Sequence, residues 1–128
     1  MELQNVAGVI CLVTDLQRAT EFYEALGFQR TQHMPDVFVV VSLGGFWIEL
    51  LLEDKVVTES FKPDIGASRK GAGHYLHIQV EDVDKFYQGL LAKGFTPLSK
   101  PQDFSWGRRE FTVCDPEGYT LVFFRKVA

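Results

Sequence analysis

Several features that often decide a protein's class are scarce in this chain of 128 residues. It has two cysteines, Cys11 and Cys114, and their spacing fits neither a disulfide framework nor a pair of metal ligands. No apolar run approaches the length of a membrane span, and the first residues lack the basic start and apolar core of a signal peptide. These absences predict a cytoplasmic protein with no membrane partner.

A basic surface is also missing. Lys and Arg number 13 against 17 Asp and Glu, which gives a formal net charge of −4. Nucleic-acid binding needs a concentrated basic face to neutralise phosphates, and here the basic residues are scattered. We therefore expect no nucleic-acid partner.

What the chain does contain is an internal repeat. Val-Thr-Asp-Leu at 13–16 precedes a helical pattern that ends in Gly-Phe at 27–28. Val-Glu-Asp-Val at 80–83 precedes a second helical pattern that ends in Gly-Phe at 94–95, with the same spacing from Asp to Gly. In each copy the Asp is a typical helix N-cap and the Gly a typical helix stop. A repeat of this length predicts two equivalent modules.

Each module is predicted to be a βαβββ unit. Apolar runs and turn signals favour strands at 6–13, 28–33, 36–43 and 46–52 in the first module, and at 74–80, 95–99, 107–114 and 118–125 in the second. The first module covers about 5–52, the second about 74–125, and a Gly- and Pro-containing linker, able to act as a flap, covers 53–73. Together they are expected to form a single domain, 1–128.

The expected fold class is α+β. One helix covers only one face of each small sheet, so two modules would curl their open faces toward each other into a curved mixed-sheet half-barrel with helices outside. Strand alternation then assigns side chains to the cavity or to the helix side. Phe38 is the uncertain position, because Phe38 and Val39 exchange faces if the register shifts by one.

Two segments resemble a known family. The repeat with Phe-Tyr-Glu-Ala-Leu-Gly-Phe at 22–28, together with Asp-Pro-Glu-Gly at 115–118, is similar to the vicinal-oxygen-chelate superfamily, which includes glyoxalase I, extradiol dioxygenases, fosfomycin-modifying enzymes and bleomycin resistance proteins. Trp-Gly-Arg-Arg-Glu-Phe at 106–111 is most similar to the bleomycin resistance branch. That resemblance implies a homodimer whose crevices are formed partly by both chains.

Enzymes of this superfamily place divalent-metal ligands on the first, fourth, fifth and eighth strands. The resemblance puts these positions at Gly8, Glu49, Tyr75 and Val122. Gly and Val have no donor atom and a neutral Tyr is a poor ligand, so we expect no metal, no cofactor and, on balance, no catalysis. A metal-dependent lyase, isomerase or dioxygenase that recruits His77, or His74 after a register shift, remains the alternative. A metal-free reaction with Glu49 as general base is a further one.

The leading prediction is a non-catalytic protein that sequesters an aromatic, possibly cationic, small molecule, as in antibiotic resistance. Aromatic faces stack on planar ligands and attract cations, and carboxylates supply the opposite charge. The predicted ligand-binding residues are Phe38, Trp47, Glu49, Tyr75, His77, Phe104, Trp106, Glu110 and Phe124. Two alternatives stay open: the two Trp side chains could plug the cavity, or the cavity could receive another protein's side chain.

Arg108 and Arg109 are adjacent, so strand alternation sends them to opposite faces. One of them is expected to pair with Glu110 or Asp103.

Overall fold

The computed structural model describes residues 2–127, and the chain divides into two compact units. The first ends at Lys70 and the second begins at Gly71. Within the described part of the chain, no helix is long and apolar enough to cross a membrane.

The first unit contains one sheet and one α-helix. Its elements are β1 (Gly8–Val13), α1 (Leu16–Leu26), β2 (Gln29–Met34), β3 (Phe38–Leu43) and β4 (Phe46–Leu52). The strand order is β1-β4-β3-β2, with β1 parallel to β4 and the other neighbours antiparallel. In this order β1 and β2 are the two edge strands of the sheet.

The ends of α1 follow the sequence signals. The Asp15 carboxylate accepts a hydrogen bond from the backbone N–H of Arg18 at 3.0 Å, and Gly27 ends the helix with φ +118°. Ala19 and Tyr23 are buried, and the Tyr23 ring packs edge-on against Phe28 at 5.5 Å. The helix therefore packs through an apolar stripe anchored by one aromatic pair.

The second unit repeats this topology. Its elements are β5 (Tyr75–Gln79), α2 (Val83–Ala92), β6 (Gln102–Phe104), β7 (Arg108–Cys114) and β8 (Thr120–Lys126), in the order β5-β8-β7-β6. Asp82 caps α2 by accepting the N–H of Lys85 at 3.0 Å, as Asp15 caps α1. The predicted pair of βαβββ modules and the α+β class are confirmed.

An aromatic cluster forms the core of the second unit. The Phe123 ring lies 4.8 Å from Phe86 and 5.4 Å from Phe111. On α2, Leu90 is 2% exposed, whereas the next residue, Leu91, is 42% exposed. Consecutive helix residues are about 100° apart, so only one of these two can face the sheet.

The predicted strand at 95–99 is wrong. Leu98 donates one hydrogen bond to the carbonyl of Thr112 at 2.8 Å, but no ladder follows. Pro97 and Pro101 have no amide hydrogen, so this stretch cannot pair continuously, and the edge strand β6 forms beyond Pro101.

Most of the predicted linker belongs to the first unit. Residues 53–55 and 59–64 form short 3₁₀ helices, and the Glu53 carboxylate accepts hydrogen bonds from Lys70 at 2.5 Å and from the N–H of Gly66 at 3.3 Å. The bond to Lys70 lowers the pKa of Glu53. This segment is thus tied back on itself by a largely buried ion pair. The single-domain interpretation and the flap remain predictions.

Candidate functional site

The first sheet has one face that α1 does not cover. Ile48 and Leu50 are fully buried on the helix side, so Trp47, Glu49 and Leu51 lie on the other face. Side chains of cross-strand partners share a face, and the pairs that define this one are Gly8 with Trp47, Ile10 with Glu49, Val40 with Glu49 and Phe38 with Leu51. The register therefore puts Phe38, not Val39, beside Trp47 and Glu49 on the uncovered face.

Glu49 is the only charged residue of β4, and its strand neighbours are aliphatic. Ile10 lies on one side of it and Val40 on the other. The side chain is half-buried, and this desolvation raises the pKa of Glu49. A carboxylate in such surroundings is stabilised by any cation that binds next to it.

Trp47 packs directly over Gly8. A Cβ atom at residue 8 would lie 2.2 Å from Cδ2 of the Trp47 indole and 2.3 Å from the Trp47 backbone oxygen. Real Cβ contacts are not this short, so only glycine fits while the indole and the β1–β4 pairing stay as they are. The Trp47 indole therefore occupies the space that the Cβ atom of any other residue at position 8 would need.

The second sheet has a corresponding uncovered face. Its cross-strand pairs are Tyr75 with Thr120, His77 with Val122, Gln79 with Phe124, Glu110 with Phe124, Gln102 with Glu110 and Phe104 with Arg108. Five of the predicted binding residues (Tyr75, His77, Phe104, Glu110 and Phe124) therefore share one face. Trp106 lies in the turn between β6 and β7, 62% exposed, with its ring stacked on Phe104 at 4.5 Å.

Two charged side chains on this second face, Arg108 and Glu110, form no ion pair within the described residues. The Arg108 guanidinium carbon lies 4.0 Å from the centroid of the Phe124 ring, a cation–π contact. Oε2 of Glu110 is buried and has no hydrogen-bond partner among residues 2–127. The His77 ring is 5.9 Å from Phe124 and places Nδ1 3.2 Å from the Tyr75 carbonyl. Aromatic surface, a cation and an unsatisfied carboxylate oxygen thus occur together.

Arg109 lies on the opposite, helix-covered side. Its guanidinium donates to both carboxylate oxygens of Asp84 on α2, at 2.8 and 2.9 Å, and to Asp103 on β6 at 3.2 Å. The predicted pairing of one arginine with Asp103 is confirmed. The Arg109 hydrogen bond lowers the pKa of Asp84, and the network ties α2 to β6 and β7.

The superfamily's metal positions lack a suitable donor set. The two parallel pairs have equivalent registers, because Gly8 is opposite Trp47 where Tyr75 is opposite Thr120. Glu49 and Val122 then occupy equivalent positions on β4 and β8, and Gly8 and Val122 carry no ligand atom. Across residues 2–127, no three His, Cys, Asp or Glu side chains come together as a possible metal site. These residues do not fit a divalent metal centre of the usual kind.

A cavity of about 460 Å³ in the first unit was missed by the sequence patterns. It lies between α1 and the β2–β3 turn, on the helix side of the sheet, and is lined in part by Thr20, His33 and Val39. Two of its lining side chains bond to each other, since Gln17 donates to Glu21 at 3.1 Å, and a third, Arg30, pairs at 3.0 Å with Glu24 outside the lining. Helix and strand patterns reveal which side chains face each other, but not the gap left where a helix diverges from an edge strand.

The fold and these two faces can be compared with known proteins. Residues 6–123 match the family model of the Glyoxalase/Bleomycin resistance protein/Dioxygenase superfamily. The chain is 30% identical over 122 residues to a protein from Geobacillus stearothermophilus named bleomycin resistance protein, with 90% of this chain and 92% of that protein covered. The chain therefore belongs to the glyoxalase/bleomycin resistance protein/dioxygenase superfamily, as its motifs suggested.

Solved structures agree on the fold. A glyoxalase/bleomycin resistance protein/dioxygenase from Nocardioides matches with a TM-score of 0.82 and 20% identity, over 99% of this chain and 86% of that one. A lactoylglutathione lyase from Agrobacterium tumefaciens matches with a TM-score of 0.76 and 17% identity, over 97% and 95%. The same fold thus occurs in a protein named as a lyase and in one named only by its superfamily. The fold alone does not determine the function, which has to be argued from the site.

Proposed function

We propose that this protein binds and sequesters a planar aromatic, cationic small molecule without transforming it. The observation that carries the proposal is Glu49, a desolvated carboxylate beside Trp47 on the uncovered face of the first sheet, where Gly8 on the neighbouring strand offers no metal-ligating atom. The similarity to proteins named bleomycin resistance protein supports the same class of function.

Each predicted residue has a physical role in this proposal. Trp47 and Phe38 offer flat faces for stacking, worth about 0.5–1.5 kcal/mol for each good aromatic contact. Glu49 supplies the anion that attracts the ligand's positive charge on the first face, and Glu110 is the carboxylate of the second face. The second face has a stacking surface of its own, formed by Tyr75, His77, Phe104, Trp106 and Phe124.

Removing the Trp47 indole should weaken ligand binding. We expect Trp47→Ala to lower the affinity for a bound planar cation by about tenfold, because one stacking and one cation–π contact together are worth about 1.4 kcal/mol. Calorimetric titration with a panel of planar cationic drugs, bleomycin included, measures this without depending on tryptophan fluorescence.

A matched control is Leu43→Ala. Leu43 is 46% exposed on β3 but lies on the helix side of the same sheet, so its removal should leave affinity unchanged. No binding by any member of the panel would contradict the proposal. So would a stoichiometric divalent metal in the protein after gentle purification, which would favour the lyase or dioxygenase alternative.

Glu49 should make stability and binding depend on pH. The raised pKa means that the folded protein holds the proton more tightly than the unfolded chain does. The ionised carboxylate therefore lowers stability as pH rises from the unfolded pKa through the raised folded pKa. We expect Glu49→Gln to have a higher Tm than the parent near neutral pH, and the difference to shrink as pH falls toward about 4.

The same proton competes with the ligand. Affinity for a planar cation should fall as pH is lowered through the pKa of Glu49, and this dependence should be weaker in Glu49→Gln. A Tm difference between the two proteins that is constant across this pH range would rule out a desolvated Glu49.

A homodimer is part of the proposal. Large apolar side chains stay exposed on the second unit, including Tyr75 at 58% and Leu98 at 62%, and two-fold self-association is the commonest oligomeric form. Light scattering on the purified protein should give twice the 14.5 kDa chain mass. The cytoplasmic location remains a prediction from the sequence.

A further inference from the structure

The uncovered face of the second unit carries a pair of cations that have no acidic partner among residues 2–127. Arg108 on β7 and Lys126 on β8 are cross-strand neighbours, so their side chains share this face. Neither side chain forms an ion pair or side-chain hydrogen bond within the described part of the chain, and the nearby Glu110 is not bonded to Arg108. Like charges placed directly opposite each other are destabilising unless something neutralises them.

The other face of the same strand pair shows how this chain neutralises such a pair. There Arg109 is the cross-strand neighbour of Arg125. Two carboxylates, Asp84 and Asp103, bind Arg109 directly, and Asp84 also feels the charge of Arg125. The cations of the helix side are thus paired with carboxylates, whereas within residues 2–127 Arg108 and Lys126 on the uncovered face form no ion pair, even with Glu110.

Arg108 is also held in a fixed position. Its guanidinium carbon lies over the Phe124 ring, 4.0 Å from the centroid, and its strand neighbour on the other side is Phe104, whose ring stacks on Trp106. Stacking restrains the guanidinium while leaving its N–H groups, which lie in the plane, free to donate. A guanidinium fork of this kind matches the two oxygens of a carboxylate, phosphate or sulfonate.

The geometry points to an oxyanion subsite formed by Arg108 and Lys126, next to the aromatic surface of Phe104, Trp106 and Phe124. This inference rests on the proposed function and narrows its ligand class: the planar aromatic molecule carries an acidic group in addition to its positive charge. The acidic group of the ligand pairs with Arg108 and Lys126, and its ring system stacks on the aromatic side chains of this face. Its cationic group pairs with the carboxylate of Glu110 on the same face.

The test compares two probes of the same shape, 2-naphthoate and its neutral amide, 2-naphthamide. Calorimetric or NMR titration of the parent protein should show at least tenfold tighter binding of 2-naphthoate, because a charge-assisted hydrogen-bond pair is available only to the carboxylate. Arg108→Gln should remove most of this preference, and Lys126→Gln should reduce it. Raised salt should also reduce it.

Arg125→Gln is the matched control. Like Lys126→Gln, it removes one positive charge from β8, but this charge lies on the helix side of the sheet. The preference for 2-naphthoate over 2-naphthamide should therefore be retained. Equal affinities for the two probes, no binding of 2-naphthoate, or a preference that survives both Arg108→Gln and Lys126→Gln would each overturn the subsite.

These outcomes can be separated from failure of the proposed function. If the planar cations bind and Trp47→Ala weakens them while 2-naphthoate shows no preference, the subsite is wrong and the proposed function stands. If neither the cations nor the naphthalene probes bind, both are wrong.

Discussion

Asp115→Ala should lower the free energy of unfolding by about 3 kcal/mol. Oδ1 of this carboxylate accepts hydrogen bonds from three consecutive backbone N–H groups, those of Glu117, Gly118 and Tyr119, at 2.8, 2.9 and 3.0 Å. Asp115 is 4% exposed, so water cannot simply replace the lost acceptor. Hydrogen bonds to a charged group are worth about 1.5–3 kcal/mol, and leaving buried donors unmade adds to the loss. Urea denaturation followed by far-UV circular dichroism measures the change.

Two other aspartates of this chain provide the comparison. Asp15→Ala and Asp82→Ala each remove a helix cap whose carboxylate accepts a backbone N–H at 3.0 Å, so each should lower stability by about 1 kcal/mol. Asp115→Asn, which keeps one acceptor oxygen but loses the charge, should fall between these values and that of Asp115→Ala. If Asp115→Ala were no more damaging than the two cap variants, the turn would not depend on this carboxylate.

Gly8→Ala should be the second severe substitution, with a loss of about 2–3 kcal/mol. The added methyl group would lie 2.2 Å from the Trp47 indole and 2.3 Å from the Trp47 carbonyl oxygen. The indole can rotate, but the carbonyl belongs to β4, so β1 must move away from its parallel partner. Overpacking of this type typically destabilises by about 1–3 kcal/mol, and here backbone pairing is disturbed as well.

Gly89→Ala is the matched control for this substitution. Gly89 lies inside α2, and a Cβ there would meet no atom within 4 Å. Replacing a helical glycine by alanine should leave stability unchanged or raise it by about 0.5–1 kcal/mol. Chemical denaturation measures the free energy of unfolding of both variants, and so compares an added methyl group at crowded residue 8 with one at open residue 89. Equal stabilities for the two would show that Trp47 does not restrict residue 8.

The repeated architecture could be predicted from the sequence because its signals are local. Each Asp cap and each Gly stop acts within one helix turn, and the alternation of β4 places Ile48 and Leu50 on one side and Glu49 on the other wherever the strand lies. The strand at 95–99 was predicted wrongly because its apolar residues fit a strand, although Pro97, which has no amide hydrogen, is a sequence signal against continuous pairing.

For the candidate site too, some features could be predicted from local sequence patterns and others could not. Alternation assigned Trp47, Glu49 and His77 to uncovered faces, and the strand register decided between Phe38 and Val39. The isolation of Glu110 Oε2 and the stacking of Arg108 on Phe124 depend on how side chains pack across strands, which residue order does not encode. Binding roles for these residues remain predictions until a ligand is tested.

The contact between Gly8 and Trp47 has an evolutionary consequence. Introducing a metal-ligating side chain at residue 8 requires the indole to move and β1 to shift, since the Trp47 carbonyl blocks the Cβ even when the ring has turned away. A metal-ligating side chain at residue 8 therefore requires a compensating change in β4 as well, so two coupled substitutions separate this chain from a ligand at that position.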